Sequence, residues 1–440
     1  MYCAYITTIK DLRKHSNADR LNVFTAFGNN VIVDLSYQNG DKVIFFPTDG
    51  QLDYDFADEN NLLRKKDENG NSIGGYLDPE KRNITALKLR GEKSEGLALP
   101  IRVLEKYTDI SKLKDGDQIS ELNGTVICKK YIPNRQRKKN TSSGNNSKKK
   151  KKKNTNEPKI TYDYFAEHID TQQLAYNQGA FRVGDTCYIT LKMHGTSART
   201  ASTIQTTRTK RNVIFRKLFR AKDKITKEYT VVSGTRRTVL NNYDGGYYGS
   251  NEFRKKHHDF FKDKLPKGME VFYEIVGYDN GSHTIMGKCK NKLIKDKAFQ
   301  KQYGDETIFS YGCREGENDI YVYRMTMTNE DGFVVELPWE QVQIECEKMG
   351  VKCVPLFEKF IFTTWEDLME RVEKYYDGTD PIGLTHIREG VVVRIDNRPS
   401  FTAYKHKNFF FKALEGVVKD NSDMPDMEEA EELIAENEGE

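Results

Sequence analysis

The chain has 440 residues, 70 of them Lys or Arg and 66 Asp or Glu, so its formal charge is only +4. No apolar run approaches the roughly 18 residues of a membrane helix, and MYCAYITTIK is not a basic segment followed by an apolar one, which excludes a spanning helix and a secretory signal. With 24 Tyr and 23 Phe there is aromatic surface for packed cores, which excludes wholesale disorder.

Residues 1–133 read as a β-rich module. Tyr5 to Ile9 alternate loosely, Leu21 to Phe27 alternate, Gly28-Asn29-Asn30 supplies a turn, and Val31 to Leu35 resumes. Asn39-Gly40-Asp41 is another turn signal before the apolar run Val43 to Phe46. Short strands at close spacing predict a small barrel. Residues 134–158 are nearly devoid of apolar side chains, and Lys148 to Lys153 repel one another, so a basic disordered linker is expected there. Residues 134–159 hold eleven positive charges against Glu157, a net +10.

Residues 159–415 mix strand and helix patterns. Cys187 to Leu191, Glu270 to Val276, Ile320 to Met325, Gly332 to Leu337 and Gly390 to Ile395 read as strands, and Trp365 to Tyr375 has helical spacing. The mixture predicts an α+β domain. Residues 416–440 form an acidic tail, and 420–440 carry ten carboxylates with no Lys or Arg, a net −10. Met427, Ala430 and Ile434 fall at helical spacing within it. The modest total thus hides two opposite blocks. The seven cysteines are scattered with no C-x-x-C pair, which points to a reducing compartment and away from a structural zinc site.

The chain lacks G-x-x-x-x-G-K-[ST], a strand-linked G-x-G-x-x-G, H-E-x-x-H and G-x-S-x-G. Its strongest local signal is Leu191-Lys192-Met193-His194-Gly195-Thr196-Ser197, a lysine ending a strand before a tight turn. Such a lysine becomes a nucleophile where burial or nearby cations lower its pKa; on its own it reads first as a solvated strand end, as most lysines after a strand are. Further pieces follow in order. Glu274 stands between apolar strand neighbours, Asp319 to Met325 is an aromatic strand, Glu389 precedes a buried strand, and Lys405 and Lys407 share one strand face at i and i+2.

That order resembles the covalent nucleotidyltransferase superfamily of ATP-dependent RNA and DNA ligases and capping enzymes. Lys192-Met193-His194-Gly195 looks like the K-x-D-G nucleophile motif, with His194 in place of Asp. Glu274 resembles the third motif, Ile320 to Met325 the aromatic strand on the adenine side, Glu389-Gly390 the fourth motif and Lys405-His406-Lys407 the fifth. Arg324 stands where many relatives have Asp, and Ser233 to Arg237 resembles the intervening S-R motif. In the N-terminal module, His15-Ser16-Asn17-Ala18-Asp19-Arg20-Leu21 resembles the H-P-N-A-D-R-L loop of OB-type tRNA-binding domains, with Ser16 for Pro, and Asn39 to Val43 resembles their N-G-D-x-V strand entry. An OB domain placed first resembles the nick-sealing RNA ligases.

The resemblance implies an OB-fold β-barrel at 1–133, followed by an α+β, ATP-grasp-like adenylation domain at 159–415. It implies ATP and Mg2+ or Mn2+ as cofactors, and catalysis by Lys192, Glu274, Glu389, Lys405 and Lys407. Gly195, Thr196, Arg199, Ile320, Tyr321 and Val392 are implied to bind the nucleotide, and Glu274 and Glu389 the metal. The implied reaction seals 3′-hydroxyl to 5′-phosphate breaks, at nicks in duplex RNA, through a lysyl-adenylate. A DNA ligase, a capping guanylyltransferase and a non-catalytic RNA-binding relative are the alternatives. Residues 203–228 carry a net +7 interleaved with Val213 to Phe215, Leu218 and Phe219. This basic element, with Arg211 and Lys217, and the S-R motif's Arg236 and Arg237, is expected to clamp RNA phosphates. The expected protein is an intracellular monomer, cytoplasmic or nuclear, with no membrane partner.

Overall fold

The computed structural model describes residues 2–70, 73–132, 158–165, 168–210, 222–236, 238–240, 243 and 251–421, the last five as backbone only. The predicted linker and acidic tail lie almost wholly outside the described residues. The chain divides into two compact units. One combines the N-terminal stretch with residues 289–305 and the chain from 407; the other combines the stretch up to 288 with residues 306–406.

In the first unit, Leu21–Ala26 and Asn29–Asp34 form a hairpin turning at Phe27 and Gly28, whose φ values are +49° and +72°. Positive φ at both positions makes the twisted two-residue turn that suits a hairpin, one residue earlier than Gly28-Asn29-Asn30 suggested. Gln118–Ile119, Ala4–Thr8, Lys42–Pro47 and Gly96–Pro100 pair in that order as a four-stranded sheet. Ile6, Ile44, Phe46, Leu52, Phe56 and Leu104 are its buried core. Several small sheets share the unit, and among the described residues no ladder closes them into a barrel. The His15 to Leu21 loop is pinned to the ribbon formed by Leu87–Leu89 and Glu92–Ser94. His15 Nε2 donates to Leu89 O at 3.0 Å, its Nδ1 accepts from Asn17 N at 3.0 Å, and Glu92 takes both Arg13 and the Ser16 N–H. That contact holds Glu92 down at about 2, chiefly through the Arg13 hydrogen bonds.

The second unit is built on two sheets. The larger orders Lys159–Asp163, Thr196–Thr209, Met269–Gly277, Asn318–Thr328 and Val334–Glu336, with Lys224–Thr235 paired along Thr196–Thr209. The smaller orders Gln172–Gln173, Thr402–Lys407, Gly390–Ile395, Thr186–Lys192 and Leu356–Ile361. Helix Glu252–Lys262 covers the far face of the larger sheet, with Phe261 against Tyr273 at 5.3 Å. Helix Trp365–Tyr375, capped by the Thr364 hydroxyl on Asp367 N–H, buries Leu368 and Val372 on the smaller sheet among Ile189, Val391 and Val393. Met269–Gly277 is buried at every position, which explains an apolar run without alternation. None of the seven cysteines is in a disulfide. No helix of the described residues is long and apolar enough to cross a membrane.

Candidate active site

Thr186–Lys192 alternates between two environments. Cys187 and Ile189 enter the core with Val391, Val393 and Ile395; strand alternation therefore turns Thr190 and Lys192 to the other face. Lys192 pairs in register with Gly390 of the antiparallel neighbour, and Thr190 with Val392. The preceding residue, Glu389, thus meets the end of the lysine. Lys192 Nζ lies 2.8 Å from Glu389 Oε1, with side-chain exposures of 17% and 2%. A short charge-assisted contact at this burial holds the amine in one place rather than leaving it on a solvated arm. Val392 and, by alternation from core-facing Tyr404, Lys405 share that face. Lys407 closes its strand with Nζ 2.6 Å from Glu415 Oε1.

Residues 193–195 are the turn that carries the chain from the smaller sheet to the larger, since Lys192 ends one strand and Thr196 begins another. Gly195 is required by space. A Cβ there would stand 2.3 Å from Ile275 O and 2.9 Å from Glu274 Cγ, so the turn lies directly on the third-motif acid. The His194 backbone N–H donates to Tyr311 OH at 2.7 Å. The His194 ring stands edge-on to Phe309 at 4.6 Å, and its Nδ1 lies 3.8 Å from Glu389 Oε2. Tyr311 is buried with φ +50°, a left-handed conformation that costs a non-glycine residue about 1–2 kcal/mol. Burial first, then the charges of Asp380, Glu389 and Glu274, push its phenol well above the usual tyrosine range. The same phenol therefore feels both motif carboxylates.

On the larger sheet, Ser197, Glu274 and Tyr321 are register partners across three strands, and Ser197 Oγ donates to Glu274 Oε2 at 3.1 Å. Thr196 and Ile320 belong to the next row, on the opposite face. There the Thr196 hydroxyl accepts from Arg254 Nη2 at 2.7 Å, and Ile320 is buried. Tyr321 OH donates to Asp319 at 3.3 Å. A bulge opposite Phe272 and Tyr273 sets Tyr323 against His168, 3.2 Å from its Nδ1. Burial, then Glu274's charge, raises the Tyr323 phenol. Arg199 is buried, donating to Thr235 O at 3.1 Å and to Glu270 at 3.3 Å, with its guanidinium 3.8 Å above the Phe165 ring. Arg236 Nε donates to Asp170 at 2.8 Å.

The structure thus brings Lys192, Glu389, Gly195, Glu274 and Val392 to one turn and the faces around it. It gives Arg199, Thr196 and Ile320 buried packing partners. Arg211, Lys217 and Arg237 lie outside the described residues; in the ribbon of Thr196–Thr209 and Lys224–Thr235, Arg208 reaches Asp223 at 2.9 Å. Among the described residues no group of three or more His, Cys, Asp or Glu could hold a metal ion. Tyr311, Phe309, His168 and Arg254 carried no signal in the sequence, whereas Tyr323 falls within the aromatic strand Ile320 to Met325. Each reaches the motifs through the fold, 117 residues separating Tyr311 from His194.

The sequence model of the RNA ligase family matches residues 185–414. No curated protein matches the chain. Solved structures of Naegleria gruberi RNA ligase do match in fold. A lysine-to-alanine mutant with ATP and Mn is 15% identical, with a TM-score of 0.53, covering 93% of this chain and 98% of that one. A lysine-to-methionine mutant with AMP and Mn is 15% identical, with a TM-score of 0.54 and coverages of 93% and 97%. The same enzyme with pyrophosphate is 14% identical, with a TM-score of 0.52 and coverages of 93% and 97%.

Proposed function

The chain belongs to the RNA ligase family, and from that premise we propose that it is an ATP-dependent enzyme sealing 3′-hydroxyl to 5′-phosphate breaks, at nicks in duplex RNA, through a lysyl-adenylate on Lys192. The observation that carries this reading is the Lys192 to Glu389 contact of 2.8 Å, on a turn resting against Glu274.

In the first step Lys192 Nζ attacks the α-phosphorus of ATP, an N–P bond forms, the α–β anhydride breaks and pyrophosphate leaves. Glu389 orients the amine and accepts its proton, the geometry of a general base within hydrogen-bond reach. Lys405 and Lys407 offset charge on the α-phosphate. In the second step a 5′-phosphate oxygen attacks the adenylate phosphorus and the N–P bond breaks. In the third the 3′-hydroxyl attacks the adenylated phosphate, loses its proton, and AMP departs as the phosphodiester forms. Tyr321 or Tyr323, on Glu274's side, supplies an aromatic wall for adenine, with Val392 from the other sheet.

A pair of carboxylates suits a hard divalent ion that keeps waters and binds with substrate phosphates, so Glu274 and Glu389 would hold Mg2+ or Mn2+. When bound, such an ion neutralises phosphate oxygens. The N-terminal unit, with its OB-like loop, serves RNA binding. Seven cysteines without a disulfide support an intracellular setting, and the protein acts as a monomer.

Incubation with α-labelled ATP and Mn2+ should label the protein covalently, and Lys192→Ala should abolish the label. A mutant that labels like wild type would end this assignment. Matched nicks with RNA or DNA on each side, and GTP in place of ATP, separate the ligase reading from its DNA-ligase and capping alternatives.

A further inference from the structure

The first unit contains an open groove of about 330 Å³, within the ~300–1,000 Å³ of small-molecule sites. Three short segments wall it: residues 85–88, residues 293–296, and the face of helix Phe409–Asn421 bearing Phe409, Phe410 and Ala413. Its floor is apolar and partly uncovered. Leu87 is 47% exposed and Leu293 40%, and Phe410 is half-buried against Phe299 at 4.9 Å.

The charge on these walls is one-sided. The carboxylate that lines the groove, Asp296, is engaged by Lys88 at 2.6 Å, and the nearby Glu92 and Glu415 are engaged by Arg13 and Lys407. Lys88 and Lys295 line the groove, and Arg90, Lys93, Lys290, Lys292 and Lys297 lie within five residues of its lining segments in sequence; apart from Lys88, none of these has a carboxylate partner among the described residues. Lys93 Nζ stands 5.2 Å from the Phe409 ring centre and 5.6 Å from that of Phe410. A free inorganic anion would use the cations and leave the leucines and Phe410 without purpose. An unstacked base with its flanking phosphates uses both, because every base offers a flat apolar face and each phosphate a charge.

We propose that this groove is a single-stranded RNA subsite, seating an unstacked base over Phe410, Leu87 and Leu293 while Lys292 and Lys295 hold the adjoining phosphates. The proposal rests on RNA being the substrate, and the groove's lining includes none of Lys192, Glu274, Glu389, Lys405 and Lys407.

The test uses the full chain and a fluorescent 12-nucleotide single-stranded RNA, with anisotropy read at 50, 100 and 200 mM salt. Lys292→Glu with Lys295→Glu should weaken binding about tenfold at 50 mM and flatten the log–log salt slope by about 1.4, two contacts' worth on a single strand. Leu87→Ser with Leu293→Ser, both on exposed side chains, should weaken it about fivefold with the slope unchanged. An RNA of abasic sites should bind wild type more weakly and be indifferent to the leucine changes. Unchanged affinity and slope in both variants would overturn the proposal. So would loss of binding, in those variants, only for a peptide of residues 422–440, which would make the groove a docking site for acidic peptide. Both variants should take the labelled adenylate at the wild-type rate. If wild type itself takes no label, the ligase reading falls, while the binding series still decides the groove.

Discussion

At Lys192 a single register pairing sets the local geometry. Opposing the lysine to Gly390 leaves Glu389 one residue away, where its carboxylate reaches the ammonium. The partner that holds the turn is Tyr311, whose hydroxyl takes the His194 N–H. A strained residue persists only where its surroundings over-determine it, and here the strain coincides with a bond to the nucleophile turn. Tyr311→Phe removes that acceptor and keeps the ring. Leaving one buried N–H unsatisfied should cost about 1–3 kcal/mol of stability. The rate of labelling at saturating ATP should fall about tenfold with KM for ATP nearly constant, because small errors in attack geometry are expensive. A purely structural tyrosine would lower the folded fraction and leave the rate per folded molecule unchanged.

At the scale of elements, the larger sheet depends on helix Glu252–Lys262, and one contact in that packing makes stability depend on pH. His257 is buried and donates from Nε2 to Asn318 Oδ1 at 2.7 Å. Burial first lowers its pKa to about 4; the Asn318 bond acts against the shift and nearby Lys256 with it. Between pH 6.5 and 4 the unfolded chain therefore binds a proton that the folded chain refuses. Stability from this group is complete above pH 6.5 and is lost as pH falls towards 4, by up to about 1.4 kcal/mol per unit. His257→Gln keeps a donor and removes the titration. In urea unfolding at pH 7, 6 and 5 its midpoint should decline less steeply than wild type; parallel lines would refute the assignment.

For the whole molecule, the charge pattern matters more than its sum. Residues 422–440 bring nine carboxylates after helix Phe409–Asn421. Deleting them should tighten RNA binding at 50 mM salt, and the gain should fade as salt shortens the Debye length below ~10 Å. Equal affinities at all salt concentrations would exclude an electrostatic role for the tail.

What could be read from the chain alone was what a strand pattern or a short motif carries. The strand ending at Lys192, the wholly buried Met269–Gly277 and the helix Trp365–Tyr375 rest on apolar runs or helical spacing a few residues long, and the attention to Lys192, Glu274 and Glu389 rests on the resemblance of short motifs in order. Alternation separates Ser197 from Thr196 and Tyr321 from Ile320, and only the ladder showed which of each pair joins Glu274. Tyr311, Phe309 and the groove walls were not legible at all. They meet their partners across 100 residues or more, and contacts at such separation follow from how two sheets and several loops pack, which leaves no periodicity in the sequence. The sequence by itself determined the strand that ends at Lys192 and the glycine turn that follows it. Only the tertiary structure decided which side chains hold that turn in place, because that choice is made by packing between segments and not within them.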